Sequence, residues 1–205
     1  MSSIEKPTDL VPRLRAGDTS AYRELMQIYE RRLYAFANGI LRDPDDAMDV
    51  VQDTFIRVFK SVGSFQGDAA FTSWIFRIAR NLCIDRLRRK KRVQMTEFND
   101  ALKANPNALD KPALTGQASF QSPDKESLSR ELGGQMIEAL KVLSESHREI
   151  LLLRELEGLS YGEISEILGV PSGTVMSRLF HARKKMQKTL SPYVGSNLEV
   201  GADES

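Results

Sequence analysis

Apolar residues in the first half of the chain recur at the spacing of one helix face, with polar residues between them. A first series consists of Tyr22, Leu25, Met26, Tyr29, Leu33, Phe36, Ala37 and Ile40. A second consists of Ala47, Met48, Val51, Phe55, Val58, Phe59 and Val62, and a third of Phe71, Trp74, Ile75, Ile78 and Leu82. Asp43 and Pro44 divide the first two series, because aspartate caps helices and proline favours the first helical position. The pattern predicts three amphipathic helices that bury these faces.

The second half of the chain is also predicted to be helical. Leu132, Met136, Leu140 and Leu143 form one series. Ser146 with Glu149, and Ser160 with Glu163, have the spacing of capping boxes that open two further helices. After the turn Gly169-Val170-Pro171, a fourth helix would bury Val175, Leu179, Ala182 and Met186. Two short helices joined by a three-residue turn that contains glycine are typical of a helix-turn-helix.

The segment between the two halves has no sustained period. Residues 93–125 include Pro106, Pro112 and Pro123, with only scattered apolar residues. Such a stretch is too long for an ordinary loop inside one compact domain. Because no segment shows strand alternation, we predict an all-α chain with two small helical domains. These span 15–92 and 126–190, with a flexible linker at 93–125 and a disordered tail at 191–205.

Composition narrows the class of protein. Hydrophobic residues make up 41% and charged residues 28%, which is typical of a globular protein. No apolar run approaches the ~18 residues of a membrane span, and the first residues do not resemble a signal peptide. A cytoplasmic location is therefore predicted. Cys83 is the single cysteine, so with two histidines the sequence offers neither a disulfide nor a Cys/His zinc site, and we predict no cofactor or metal.

The net charge is only +1, but charge is segregated along the chain. Asp45, Asp49 and Asp53 are spaced i, i+4, i+8 beside Gln52, with no cation from Asp43 to Asp53. A solvated helix face is the default interpretation, yet a face without mixed signs favours a basic protein partner.

Cations are concentrated from Arg77 to Arg92. A helix C-terminus attracts one or two of them, but a run of this length after Trp74 and Asn81 resembles a surface that follows the phosphates of a single strand. Trp74 itself, at helical spacing with Ile75 and Ile78, is favoured as a core residue.

On the fourth helix, Thr174, Ser177, Arg178, His181 and Lys185 lie opposite the apolar stripe. Such a face suits the DNA major groove, with a solvated face as the alternative. The absence of acidic residues from Ser172 to Lys188 favours DNA. No GxxxxGK[ST], HExxH or GxSxG motif is present, and Cys83 lies in an apolar helix face, so no enzyme activity is predicted.

Several of these segments resemble bacterial sigma factors. Residues 46–55 (DAMDVVQDTF), 71–81 (FTSWIFRIARN) and 85–89 (DRLRR) are similar to region two, while 159–164 (LSYGEI) and 173–179 (GTVMSRL) are similar to region four. With only these two domains and a linker, the chain resembles the extracytoplasmic-function (ECF) group of the sigma-70 family.

The resemblance implies an alternative sigma factor that binds core RNA polymerase and directs promoter-specific transcription initiation. An anti-sigma factor, often anchored at the inner face of the membrane, would hold it inactive, and the protein itself would not insert into the membrane. The implied polymerase-binding residues are Asp45, Asp49, Gln52 and Asp53. Those for the melted minus-ten strand are Ser64, Phe65, Gln66, Trp74, Arg77, Asn81, Arg88 and Arg89. Those for the minus-thirty-five duplex are Ser172, Thr174, Ser177, Arg178, His181, Arg183 and Lys185.

One departure and one alternative stay open at this point. Many relatives have arginine at the positions of Met176 and His181, so the contacts of those arginines do not transfer to this chain. The alternative function is a stand-alone helix-turn-helix regulator that binds duplex DNA as a dimer. Such a regulator needs neither the acidic face nor the basic helix that contains Trp74, which argues against it.

Overall fold

A computed structural model describes residues 10–65, 71–104 and 138–198, with the side chains of 97–104 and 192–198 left aside. All the regular structure in these ranges is helical. The helices are α1 (Leu10–Arg15), α2 (Thr19–Leu41), α3 (Pro44–Ser61), α4 (Phe71–Ala104), α5 (Glu145–Glu155), α6 (Tyr161–Leu168) and α7 (Ser172–Leu198), with a 3₁₀ turn at Val62–Ser64. None of these helices is long and apolar enough to cross a membrane.

Helices α1 to α4 form the first domain. Asp18 caps α2 by accepting from the Ser20 N–H, and Asp43 caps α3 by accepting from the N–H groups of Asp45 and Asp46, as predicted for Asp43. Leu10 and Leu14 of α1 are buried in the core. The first domain therefore begins before the predicted boundary at residue 15. The prediction missed these two core leucines because the residues around them are largely polar.

The buried faces of α2 and α3 differ from the predicted ones at several positions. Met26, Met48 and Phe59 are exposed, whereas Val50 and Thr54 are buried. Thr54 fits the core because its hydroxyl donates to the Val50 carbonyl at 2.7 Å, which satisfies its polar group. The three exposed residues were included in the predicted faces because apolar residues also lie at the edges of the buried face, where the spacing alone does not separate them from it.

Helix α4 is longer than predicted. It continues without interruption to Ala104, so the first part of the predicted linker is helical, and the side chains of residues 93–96 are exposed. No proline occurs between Phe71 and Ala104, so nothing in this stretch breaks the helix. The remainder of the predicted linker, 105–125, lies outside the described residues.

The second domain contains a helical turn at 138–141 and α5 to α7. Ser144 caps α5, since its hydroxyl accepts from the His147 N–H, so the predicted cap at Ser146 was wrong. The capping box of Ser160 and Glu163 on α6 is confirmed, and Gly169 ends α6 in the left-handed conformation at φ 66°. Val175, Leu179, Ala182 and Met186 are buried as predicted, while Leu132 and Met136 lie outside the described residues.

The two domains pack against each other through α2 with α5 and α4 with α6. A Cβ atom at Gly39 on α2 would lie 2.7 Å from Leu152 Cδ1 on α5. The missing side chain thus permits the close approach of these two helices. The buried apolar residues of both domains form one continuous cluster, which a prediction of two separate domains did not anticipate.

Candidate protein and nucleic-acid interfaces

The acidic face consists of Asp45, Asp49, Gln52 and Asp53 on α3. All four side chains are exposed, as the sequence predicted. Because Asp43 caps the helix and the buried stripe fixes its rotation, the side chains of Asp45, Gln52 and Asp53 point to solvent. Within the described ranges, neither the Asp45 nor the Asp53 carboxylate forms an ion pair. The face therefore presents uncompensated negative charge to solvent.

The structure also reveals cations next to this face that sequence reasoning missed. Arg86 Nε lies 3.0 Å from Asp46 Oδ1, and Arg86 also pairs with Asp49. Lys90 Nζ lies 2.7 Å from Asp43 Oδ2, and its hydrogen bond lowers the pKa of Asp43 below the usual value. Only the packing of α4 against α3 brings these residues together, so no local sequence signal could have shown it. Asp49 is thus partly neutralised, whereas Asp45 and Asp53 are not.

An aromatic cluster stands at the start of α4. The ring centroids of Phe65, Phe71 and Trp74 are 5.2 to 5.6 Å apart. Phe65 is buried, and its carbonyl oxygen accepts a hydrogen bond from Arg15. Trp74 is half-buried at the edge of the cluster, so part of its indole remains accessible. The packing of Trp74 against the core agrees with the core interpretation, and its stacking on a base stays a prediction.

Polar residues predicted for the same surface lie around this cluster. Ser64, Arg77 and Asn81 are exposed, and the Ser64 hydroxyl donates to the Ser61 carbonyl at 2.8 Å. Gln66 lies outside the described residues. The accessible indole edge, a guanidinium and an amide are the groups that hold unstacked bases and their backbone.

The cations of α4 separate into two groups. Arg86 and Lys90 bind the acids of α3, and Lys91 Nζ lies 2.7 Å from Glu145 Oε1 of the second domain. Arg88, Arg89 and Arg92 are exposed, and the described residues provide no ion-pair partner for them. Arg88 and Arg89 thus remain available to phosphate, while part of the predicted basic run serves internal pairing.

Helix α7 presents a basic outer surface. Ser172, Ser177, His181 and Lys185 are exposed, and Thr174 and Arg178 are half-buried. The N–H groups of Thr174 and Val175 bond to the Pro171 carbonyl at 2.8 and 3.1 Å, so the helix starts directly after the turn. Arg183 differs from the other predicted residues because it binds Glu155 Oε1 at 2.7 and 2.9 Å. The surface also exposes the apolar side chains of Met176 and Phe180.

Polar contacts across the domain boundary form a further site that the sequence did not reveal. Arg32 Nε donates to Glu157 Oε2 at 2.9 Å, and Ser73 donates to Glu163 at 2.9 Å. Arg80 Nε lies 3.5 Å from Glu149 Oε1. Burial raises the pKa values of Glu149 and Glu157 above the usual glutamate value. These contacts hold α6 and the end of α5 against the surface that contains the aromatic cluster.

The crevice between the domains includes residues predicted to contact nucleic acid. Ser73, Trp74 and Arg77 line it together with Glu166 and Ile167 of α6. Glu166 is an exposed acidic residue on the α6 side of this crevice. In this arrangement the second domain restricts access to one side of the aromatic cluster.

Comparison with known proteins identifies both domains. Residues 25–93 match the family model described as Sigma-70 region 2, and residues 134–186 match Sigma-70, region 4. The chain is 32% identical over 196 residues to the RNA polymerase sigma-H factor of Pseudomonas aeruginosa, covering 94% of this chain and 97% of that protein. It is 35% identical over 190 residues to the ECF RNA polymerase sigma-E factor of Haemophilus influenzae, covering 92% and 98%.

Two solved structures share the fold. CnrH, in complex with the cytosolic domain of CnrY, gives a TM-score of 0.63 at 23% identity, over 89% of this chain and 96% of that one. The sigma factor RpoE of Bartonella quintana, in complex with the anti-sigma factor NepR, gives 0.55 at 25% identity, over 84% and 98%.

Proposed function

The chain belongs to the extracytoplasmic-function group of the sigma-70 family, and we propose that its three charged surfaces divide the work of such a factor. A sigma factor binds core RNA polymerase and directs transcription initiation at specific promoters. In this proposal the acidic face binds the polymerase, the start of α4 holds the melted minus-ten strand, and α7 reads the minus-thirty-five duplex. The protein supplies no catalytic group, because the polymerase performs the chemistry.

The observation that carries the assignment is the placement of opposite charges on separate, exposed helices of one chain. The acidic face offers Asp45 and Asp53 without described ion-pair partners, next to Asp49 and Gln52. Such a face fits a basic surface of the polymerase, where complementary charge accelerates association and fixes orientation. A helix-turn-helix regulator that acts without polymerase has no use for it.

For the minus-ten strand, the accessible edge of Trp74 provides a stacking surface. Phe65 acts as a buried support rather than a direct contact, since its ring packs on Phe71 and Trp74. Arg77 follows the indole by one turn of α4 and Asn81 by two, and Arg88 and Arg89 would continue along the strand. Ser64 and Gln66 would complete the pocket for one flipped base, a geometry that protein-bound bases commonly adopt.

For the minus-thirty-five duplex, the first turns of α7 contribute Ser172, Thr174, Ser177 and Arg178 to the base edges. His181 and Lys185 follow toward the phosphate backbone. Arg183 would contact the DNA only if its guanidinium left Glu155 and bound a phosphate oxygen instead. Its contribution to affinity should therefore be smaller than that of Lys185.

Promoter recognition requires the two domains to separate. The two promoter elements lie about 25 base pairs apart, or roughly 85 Å at 3.4 Å per base pair. In the structure, Arg32 and Glu157 are in direct contact across the boundary. The packed arrangement is thus a closed form. We propose that an anti-sigma factor in the cytoplasm binds this chain and stabilises the closed form, since a structure that shares its fold, RpoE, is a complex with the anti-sigma factor NepR.

Run-off transcription tests this function directly. Core polymerase with this protein should produce a defined transcript from a cognate promoter, and core polymerase alone should not. A protein that binds duplex DNA tightly without core, and gives no transcript with it, would instead be a stand-alone regulator.

Docking is tested separately by Asp53→Lys, with Glu30→Lys on the exposed side of α2 as the control. Asp53 is the cleaner choice because Asp49→Lys would also disturb Arg86. Asp53→Lys should weaken core binding in pull-down titrations while the control binds normally. Equal core affinity of the two variants would remove the acidic face from the docking surface.

A further inference from the structure

Two large apolar side chains stand exposed on the helix that faces DNA. Met176 is 54% exposed and Phe180 is 63% exposed. They are four residues apart, so they lie about 40° from each other on the helix surface. The Phe180 ring also contacts the His181 ring, with centroids 5.5 Å apart. The pair therefore forms a small apolar surface in the second and third turns of α7.

This surface has a defined position relative to the cations. At about 100° per residue, Arg178 and Lys185 lie on the opposite flank of α7 from Met176, with Ser177 and Lys184 between the flanks. No acidic residue occurs from Val170 to Lys188. Within α7, an apolar flank next to a cationic one, without an acidic residue of its own, fits a polyanion that also has an apolar group at its surface.

In the DNA major groove, that apolar group is the 5-methyl of thymine. Every other group on the base edges there is a hydrogen-bond donor, an acceptor or an aromatic C–H. Met176 and Phe180 have no hydrogen-bonding group suited to a base edge. They lie on the second helix of the helix-turn-helix, which is the helix that enters the groove in such proteins. Exposure of these two side chains to water does not stabilise the fold. Val175, Leu179, Ala182 and Met186 already form the buried stripe of α7 without them.

We infer that Met176 and Phe180 read thymine methyl groups in the minus-thirty-five element. The inference rests on the proposed function, in which α7 faces that duplex. It gives the recognition helix two modes of contact. The apolar flank selects thymine, and the flank of Arg178 and Lys185 contacts guanine edges or phosphate. An arginine at position 176 would read a guanine instead, so the methionine changes the base that this promoter element requires.

Deoxyuridine provides a direct probe, because it lacks only the 5-methyl group of thymidine and pairs identically. The preferred element is first selected from a duplex library randomised at minus-thirty-five, using holoenzyme assembled with the wild-type protein. Each thymine of the selected duplex is then replaced by deoxyuridine, and holoenzyme affinity is measured. Loss of one buried methyl contact should weaken binding about three- to five-fold at one or two positions.

Variants assign that effect to residues. The set comprises Met176→Ala, Met176→Leu and Phe180→Ala, with Gln187→Ala as the control on the same flank two turns later. The alanine variants should lose sensitivity to deoxyuridine at one position each, while Met176→Leu and Gln187→Ala keep it. Because both target side chains are exposed, we expect all four variants to fold, which circular dichroism checks.

Three results would overturn the inference. The selected element could contain no thymine whose methyl affects binding, or the alanine variants could retain full deoxyuridine sensitivity. The variants could also bind promoter normally but lose affinity for a purified anti-sigma factor, which would make the pair a protein-docking surface. Failure of the proposed function looks different, since replacing Ser177, Arg178 and Lys185 together would then leave promoter choice unchanged.

Discussion

Removal of Arg32 should open the two domains. The Arg32 guanidinium contacts Glu157 Oε2 at 2.6 Å, and the Glu157 side chain is only 2% exposed whereas that of Arg32 is 21% exposed. Arg32→Ala leaves this carboxylate buried without its charge partner. Breaking a buried pair in this way costs about 3–5 kcal/mol, and the partial exposure of Arg32 reduces the figure to about 2–3 kcal/mol.

This free energy acts on the closed form alone, because Glu157 regains water when the domains separate. At tenfold per 1.4 kcal/mol, the closed-to-open ratio should fall by about 30- to 150-fold. A protein that is about 99% closed would become roughly 25–60% open. Arg31→Ala is the matched control, since Arg31 is the neighbouring exposed residue of α2 and has no ion pair among the described residues.

Distance measurements between spin labels at Lys60→Cys and Lys188→Cys provide the assay. Both positions are exposed, and native Cys83 is buried and can stay in place. Wild type and Arg31→Ala should give one short distance, and Arg32→Ala should add a long-distance population. If Arg32→Ala instead keeps the wild-type distribution, the ion pair does not hold the domains together.

Three further predictions concern titration and burial. Burial raises the pKa values of Glu149 and Glu157, so the closed form binds more protons than the open one. The closed fraction should therefore increase as the pH falls from 7 toward 4.5, and a closed fraction that decreases on acidification would contradict this. Asp43→Ala should lower the free energy of unfolding by about 1 kcal/mol at pH 7, because it removes a helix cap, and a calorimetric comparison should show the difference fading once the pH drops below 3.8, through the lowered pKa of Asp43. Burial raises the pKa of the Cys83 thiol to about 12, so iodoacetamide at pH 8 should modify it in urea but not in the native protein; rapid native alkylation, read by mass spectrometry, would contradict its burial.

Local patterns predicted the elements of this fold well. The spacing of Leu25, Tyr29, Leu33 and Phe36 located a buried face, and Asp43, Ser160 and Gly169 correctly marked helix ends. These features depend on residues within a few positions of each other, so a sequence contains the necessary information. The cap of α5 was misplaced because Ser144 and Ser146 both precede the helix, and only Ser146 has a glutamate three residues later.

Contacts between distant elements were beyond such reasoning. Arg86 and Asp46 are separated by 40 positions, and nothing in either segment indicates that α4 packs beside α3 in that register. One signal of the domain boundary was nevertheless present. Gly39 stands in the middle of a helical pattern, where glycine is unfavourable unless another chain segment approaches closely. Leu152 occupies that space in the structure.

The polar contacts of the closed boundary add little net stability to it. Arg148 donates to the carbonyls of Leu140 and Leu143 in its own domain, and to Ile40 across the boundary, so opening removes only one of these bonds. Glu149 and Glu157 are buried at a cost in desolvation that their arginine partners only partly offset. The net stability of closure therefore comes mainly from apolar packing such as that of Leu152 on Gly39.

The positions of the surfaces then suggest an order of events. Asp45 and Asp53 are exposed while the domains are packed, so in the proposed function the acidic face binds the polymerase first. Trp74 and Arg77 share their crevice with α6, so under the same proposal the minus-ten strand gains full access only after opening. If the free protein were already fully open, Arg32→Ala would leave its affinity for core polymerase unchanged. In a mostly closed protein, the free energy of opening reduces that affinity. The same variant should then raise the affinity, by at most the factor by which it raises the open fraction.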